Sequence, residues 1–318
     1  MIQVKNLSKT YGEKTALDTV SFEIKTGEIV GLLGLNGAGK STTMNILTGY
    51  LSPNSGSVHV NGFDMGKEPG KAKRHIGYLP EQPAFYGGMR VNEYLNFICD
   101  LKKILPDKKA RQEHLDALFS QVGLSAVKRR LIRNLSKGYR QRVSFAQALV
   151  GNPKVLILDE PTVGLDPSQV MEIRQLIRER GKTATVLISS HILSEIRELC
   201  QRILVLKDGK LIADDSPENL AKLTRRPHQV KIRVKGSAQQ VREALKDTAG
   251  LVSLQFLGEN EEGTVDAAIE TEEGTDAREN VFHALAQNSL PLLYTYGSEA
   301  SLEDIFLQLV RKQDDSHL

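Results

Sequence analysis

The sequence predicts an α/β fold, with a large unit on a parallel sheet followed by a smaller α+β unit. Short apolar runs of the buried-strand kind recur at 29–33, 155–158 and 185–188. Helical patterns separate them, and strands alternating with helices imply a parallel sheet. A glycine-rich stretch, 34–39, joins the first run to a helical pattern over 40–48. Beyond residue 227 the pattern restarts in the order βαββαβ.

Each element has its own signal. Residues 1–5 alternate apolar and polar like a strand and lack the apolar stretch of a signal peptide. Val20, Phe22 and Ile24 alternate the same way, and Gly27-Glu28 turns the chain into the first core strand. Residues 91–150 read as helical. Pro106 suits a first helical position, and Leu115, Leu118, Phe119 and Val122 mark one helix face. Gly151-Asn152-Pro153 stops the next helix. The helical block, about 86–150, reads as an insert between the first and second core strands. A hairpin follows, 203–206 and 210–213 around Asp208-Gly209. Ser216-Pro217 opens a short helix with a cap and a first-turn proline. Thr224-Arg225-Arg226-Pro227 reads as a linker, which sets the expected domains at 1–222 and 228–318.

In the second domain Val230, Ile232 and Val234 predict a strand, and Val241, Ala244 and Leu245 a helix. Leu254 and Phe256, then Val265, Ala267 and Ile269, predict two strands around a loop at 258–263. Val281, Phe282 and Leu285 predict a second helix, and Leu292, Tyr294 and Tyr296 a fourth strand. This is the ferredoxin-like split motif. Ser301 and Asp304 form a capping-box pattern ahead of an apolar face of Leu302, Ile305, Phe306 and Leu309.

Composition narrows the function classes. A chain of 318 residues has room for a large core or two domains. A net charge of +3 is too balanced to argue for nucleic acid as the main partner. The Lys128-Arg129-Arg130 cluster reads as a solvated helix end. Cys99 and Cys200 match no metal or redox spacing and read as buried thiols in a reducing compartment. No run approaches the roughly 18 apolar residues of a membrane span. The expected location is the cytoplasm, with any membrane role supplied by a partner.

Gly34-Leu35-Asn36-Gly37-Ala38-Gly39-Lys40-Ser41 fits the phosphate-binding P-loop spacing, in the required strand–helix context. Its glycines let backbone N–H groups curl around phosphate oxygens, and the helix N-terminus adds partial positive charge. Lys40 is expected to neutralise the β- and γ-phosphates of ATP. Ser41 is expected to offer a hydroxyl to Mg²⁺, with Thr42 beside it in the same cradle. The competing reading is a glycine-rich turn with no ligand. The 155–158 run delivers Asp159 and Glu160 to a strand's carboxyl end, where open α/β sheets place ligands. Asp159 is the candidate magnesium ligand and Glu160 the candidate general base; the bland alternative is a solvated strand end.

With these motifs in this order, residues 1 to about 220 closely resemble the ABC ATPase family. The resemblance implies a P-loop NTPase cassette: parallel core sheet, antiparallel β subdomain and helical insert. It implies that Tyr11 stacks on adenine and that Gln82, in Tyr78-Leu79-Pro80-Glu81-Gln82-Pro83, touches magnesium and senses a membrane partner. It implies that Ser136 and Gly138, in Leu135-Ser136-Lys137-Gly138-Tyr139-Arg140-Gln141-Arg142, face the γ-phosphate held by a second cassette. Asp166 falls in the loop that crosses between subunits, and His191 matches the switch histidine. The signature departs from Leu-Ser-Gly-Gly-Gln at Lys137 and Tyr139. That variant, with the 301–306 sequence Ser-Leu-Glu-Asp-Ile-Phe, resembles the ABC-2-type export branch of multidrug-efflux and gliding-motility cassettes. The resemblance therefore implies an ATP-hydrolysing subunit at the cytoplasmic face of the cell membrane, paired head-to-tail with a second cassette and powering a separate permease. A soluble ABC ATPase acting on ribosomes or DNA is the alternative, but such relatives carry two cassettes or a long coiled coil.

Overall fold

The computed structural model of the chain describes residues 1–190, 192–223, 229–259, 261–271 and 276–298. His191, the expected linker at 224–227 and the helix expected from Ser301 and Asp304 lie outside the described residues. The chain forms two compact units, Met1–Pro217 and Glu218–Leu318.

The first unit opens with β1 (Ile2–Tyr11) and β2 (Lys14–Ile24), an antiparallel pair. β3 (Ile29–Gly34) then leads into α1 (Lys40–Leu47). β4 (Ser55–Val60) and β5 (Phe63–Asp64) complete a four-stranded antiparallel sheet of order β2-β1-β4-β5. Then come α2 (Pro69–Arg74), β6 (Ile76–Leu79), α3 (Val91–Lys102), α4 (Lys108–Gln121) and α5 (Lys137–Leu149). β7 (Val155–Asp159), α6 (Pro167–Gly181), β8 (Thr185–Ser189) and α7 (Leu193–Leu199) follow. β9 (Arg202–Lys207) and β10 (Lys210–Asp215) form the hairpin. The second sheet has the order β10-β9-β3-β8-β7-β6 and is parallel from β9 to β6.

α1 joins the two sheets into one core. Met44, Ile46 and Leu47 are buried in a cluster with Val4, Val20 and Val58 of the antiparallel sheet and Leu32, Ile157, Leu187 and Leu204 of the parallel one. At roughly 25 cal/mol per Å² of apolar surface, each such side chain contributes about 1.5–3 kcal/mol. β7 and β8 are buried along their whole length, as a strand covered on both faces requires.

Two expectations need correction here. β6 is an unforeseen core strand, parallel to β7, so the helical block lies between β6 and β7 rather than directly after β3. Its four residues include Gly77, and no Cβ fits there: one would sit 2.1 Å from the Ala148 carbonyl oxygen of α5. Pro106 does not start α4. Asp107 is the N-cap, its carboxylate accepting from the Ala110 N–H at 2.7 Å, and the proline precedes it. The Lys128-Arg129-Arg130 cluster stands at a solvated helix end as expected, that of the single 3-10 turn Ser125–Val127, with Arg129 and Arg130 exposed and Lys128 tied to Asp116 at 3.0 Å.

α8 (Pro217–Leu223) begins at the expected proline. The second unit then runs β11 (Gln229–Lys235), α9 (Ala238–Leu245), β12 (Leu251–Gly258), β13 (Thr264–Thr271), α10 (Arg278–Gln287) and β14 (Leu292–Ser298). Its antiparallel order, β12-β13-β11-β14, is the ferredoxin-like arrangement. Val230, Ile232, Val234, Val241, Leu245, Val281 and Leu285 share its core. Phe282 does not: it is about half exposed (52%), because the helix turns it roughly 100° from Val281.

Candidate functional site

The site grows from the carboxyl edge of the parallel sheet. In register, Leu32 of β3 lies opposite Ser189 of β8, and Ser189 opposite Asp159 of β7. The P-loop after β3 and the acidic pair after β7 therefore leave the same edge, two strand spacings or roughly 10 Å apart.

The loop between β3 and α1 is built by its backbone. Ala38 N–H donates to the Leu35 carbonyl at 3.1 Å, and Thr43 donates to the Gly39 carbonyl through both its N–H and its buried hydroxyl, each at 2.9 Å. The β9–β10 turn braces the loop from below: Gly209 N–H donates to the Ala38 carbonyl at 3.2 Å, while the Gly209 carbonyl accepts from Asp18 N–H at 2.9 Å. Gly39 has φ 109°, and a Cβ there would lie 2.7 Å from both the Ala16 carbonyl oxygen and a Leu17 methyl. Leu35, Asn36 and Gly37 are exposed, and Ala38 is buried. Gly34 ends β3.

A cleft of about 230 Å³ is lined by Tyr11, Lys14, Asn36, Gly37, Lys40 and Ser41, with Ala16, Gly39 and Thr42 completing it. Sequence reading missed Lys14 and Ala16; their only signal is their place just beyond Tyr11 in the β1–β2 hairpin. Tyr11 is half exposed, with the Lys9 ammonium 5.5 Å from its ring centroid. Lys40 Nζ donates to the carbonyls of Gly34 at 2.7 Å and Leu35 at 3.2 Å. Burial pulls its pKa below the ordinary lysine value, while the carboxylates of Glu160, Asp159 and Glu81 oppose that shift. The lysine thus feels both acids at the end of β7.

Asp159 is buried, and its carboxylate accepts a short hydrogen bond from the Ser189 hydroxyl. Glu160 is half-buried, with φ 50°; its N–H donates to the Ser189 carbonyl at 3.1 Å. Ser189 was missed as a site residue because a serine ending an apolar run reads only as a strand end. Below them Tyr78, on β6, is pushed up to about 12 by burial and by Asp159 and Glu81. Gln82 is exposed in the irregular segment three residues beyond β6.

The signature residues are gathered elsewhere in the unit. Ser136 caps α5, accepting from the Tyr139 N–H at 3.4 Å. Gly138 is buried against Gln169 of α6: a Cβ would meet its amide oxygen at 2.6 Å. Asp166 caps α6, accepting from the Gln169 N–H at 2.9 Å and the Ser168 hydroxyl at 2.7 Å, and these bonds hold its carboxyl below the usual aspartate pKa. Gln141 donates to the Pro161 carbonyl at 2.8 Å. The start of α5 is therefore packed on the 161–169 segment, and none of its residues lines the Lys40 cleft.

The residues expected from the sequence to hold magnesium offer the Ser41 hydroxyl, the Asp159 carboxylate and the Gln82 amide. All are hard oxygens, suited to that ion alongside phosphate and water, and Asp159 is already oriented by Ser189.

Known proteins resemble this chain in sequence and fold. The sequence profile of the ABC transporter family matches residues 17–163. The Bacillus subtilis ABC transporter ATP-binding protein YdbJ is 32% identical over 313 residues, covering 97% of this chain and 94% of the relative. The bacitracin transport ATP-binding protein BcrA of Bacillus licheniformis is 32% identical over 312 residues, covering 98% of this chain and 97% of the relative. Among solved structures, the cassette MJ0796, a dimer in a post-hydrolysis state bound to ADP and Pi, superposes with a TM-score of 0.61 at 29% identity. That match covers 68% of this chain and 98% of the other.

Proposed function

The chain belongs to the ABC transporter ATP-binding proteins, and on that premise we propose the residues with which it binds and hydrolyses ATP and the kind of transporter it drives. It is an ATP-hydrolysing subunit of an ABC transporter. The alternative of a soluble ATPase acting on ribosomes or DNA is not favoured, because the near-full-length relatives are transporter subunits. Such subunits work as dimers with membrane permeases. No helix among the described residues is long and apolar enough to cross a membrane, which fits a permease on a separate chain. The export direction, an ABC-2-type permease and a place at the cytoplasmic face rest on the branch resemblance and on BcrA-like relatives.

The observation that carries the residue assignment is the shared sheet edge: β8 alone separates the strand leading to Lys40 from the strand ending in Asp159 and Glu160. The loop N–H groups, the α1 N-terminus and Lys40 bind the triphosphate, and Tyr11 takes the adenine. When ATP arrives, the Lys40 ammonium exchanges the Gly34 and Leu35 carbonyls for phosphate oxygens. Magnesium, held by Ser41, Asp159 and Gln82, would supply charge neutralisation at the phosphates. Glu160 accepts a proton from the attacking water as general base, and His191 orients the γ-phosphate. Ser136 and Gly138 close the site of a second, head-to-tail cassette, identical or related, with Asp166 on the crossing loop.

Removing a general base typically lowers the rate about 10²–10⁴-fold. Glu160→Gln is expected to bind ATP with affinity near wild type and to lose turnover by that factor. Steady hydrolysis at the wild-type rate in this variant overturns the role of Glu160.

A further inference from the structure

Behind the two chemical loops lies a buried carboxylate that the mechanism above does not use. Glu195, in the first turn of α7, is 4% exposed. Charged side chains are almost never this buried unless paired, and Glu195 is paired three ways. Its Oε2 accepts from the Thr162 hydroxyl at 2.6 Å and from the Ser190 hydroxyl at 3.4 Å. Its Oε1 faces the Arg174 guanidinium of α6 at 3.5 Å. Arg174 is shared with Glu198 at 2.5 Å.

The partners matter because of where they sit. Thr162 is two residues past Glu160, in the loop leading to Asp166. Ser190 immediately precedes position 191, and its Oγ also accepts from the Ile192 N–H at 3.0 Å, so both flanks of that position are tied together. Glu195 N–H donates back to the Ile192 carbonyl at 3.1 Å. The Ser189 carbonyl and hydroxyl meanwhile accept from the Glu160 N–H, at 3.1 and 3.3 Å. The loop after β7 is thus fastened to the loop after β8 at two points, through Ser189 and through Glu195.

Stability alone does not require this arrangement. A buried ion pair is often no better for stability than apolar residues of the same volume. A fully satisfied buried network does fix one geometry. We propose that Glu195 is a positioning residue for hydrolysis: its carboxylate, clamped between Thr162 and Ser190, sets the base-bearing loop against the switch loop. It does not line the Lys40 cleft, and it transmits any shift of the 161–166 loop to position 191. The proposal rests on the assignment of Glu160 and His191 to those two loops.

The test uses the purified full-length chain and Thr162→Val, Thr162→Ser and Glu195→Gln. Three quantities are read: kcat and KM for ATP, affinity for a fluorescent ADP analogue, and the melting temperature. Hydrogen bonds to charged groups carry enough free energy to alter a rate about 10- to 100-fold when geometry depends on them. Thr162→Val and Glu195→Gln are expected to lose kcat by that factor. ADP affinity should stay within about twofold, since neither residue lines the cleft. Thr162→Ser, which keeps the hydroxyl, should stay near wild type, and the Val/Gln double variant should be no slower than the worse single one. Wild-type kcat in Thr162→Val overturns the proposal. So does a kcat loss that tracks ADP affinity and melting temperature and is not restored by serine, since that marks a structural role only. If Glu160→Gln turns over normally while Thr162→Val does not, the base assignment fails and takes with it the role of the clamp as holder of a base-bearing loop; if Thr162→Val turns over normally while Glu160→Gln does not, the clamp alone is overturned.

Discussion

Two glycines of one loop should respond very differently to a single methyl group. Gly37 has φ 85° with nothing within 4 Å of the position a Cβ would take. Gly39 has φ 109°, and its Cβ would meet the Ala16 carbonyl oxygen and a Leu17 methyl, each at 2.7 Å. Gly37→Ala therefore carries only the left-handed backbone penalty, about 1–2 kcal/mol. Entropy removed from the unfolded chain offsets about 0.4–1 kcal/mol of it. Gly39→Ala carries the same penalty plus overpacking of about 1–3 kcal/mol, because its neighbour is a strand carbonyl that cannot step aside. The expected losses are roughly 1 kcal/mol for Gly37→Ala and roughly 2–4 kcal/mol for Gly39→Ala. Urea unfolding of the nucleotide-free chain, following the first unit's transition, measures both. Titration with a fluorescent ADP analogue should show weaker binding in each, about tenfold per 1.4 kcal/mol of loop distortion. Equal losses in the two variants, or a Gly39→Ala chain within about 0.5 kcal/mol of wild type, would refute the steric argument.

Two other expectations are simpler. Burial pushes the Cys200 thiol up to about 12 and raises that of Cys99, so iodoacetamide near pH 8 should modify neither in the folded chain and both in denaturant. The sign for stability follows: an unfolded thiol ionises near 9.0, so the Cys200 contribution is intact below that pH and is lost as pH climbs from there towards about 12. An alkaline melting series on wild type and Cys200→Ala checks it; the wild type should lose stability more steeply over that window. Asp107→Ala removes the α4 cap and should destabilise by about 1 kcal/mol, seen in the same melts at neutral pH.

Much of this architecture was legible because its signals are local. The P-loop, the β7 acids and the β9–β10 turn each sit within a few residues of their own cause. β6 was not legible, since Ile76-Gly77-Tyr78-Leu79 is too short for periodicity and owes its place to pairing with β7 and to α5 pressing on Gly77. β4 was missed for the related reason that Ser55-Gly56-Ser57 hides its strand character until β1 pairs with it. The roles of Ser189 and Glu195 were invisible because each depends on a partner distant in sequence. Thr162 and Glu195, for instance, are brought together only when β7 and β8 lie side by side.

The departure from the common signature has a physical account in the same packing. Lys137 stands where the Leu-Ser-Gly-Gly-Gln form of the signature has glycine, and its side chain runs across Gly164: a Cβ on Gly164 would lie 1.9 Å from the Lys137 Nζ and 2.2 Å from its Cε. The lysine is accommodated because position 164 lacks a side chain. The features that a phosphate would use are untouched by it, for Ser136 still caps α5 and Gly138 still lies against Gln169. Exposure of the lysine leaves its charge beside the start of α5, where it adds to the positive end of the helix rather than replacing what glycine provided. Lys137 therefore adds a cation beside a start of α5 that is still capped by Ser136 and packed on Gln169, and the loop that makes room for that cation is the one whose Thr162 is held by Glu195.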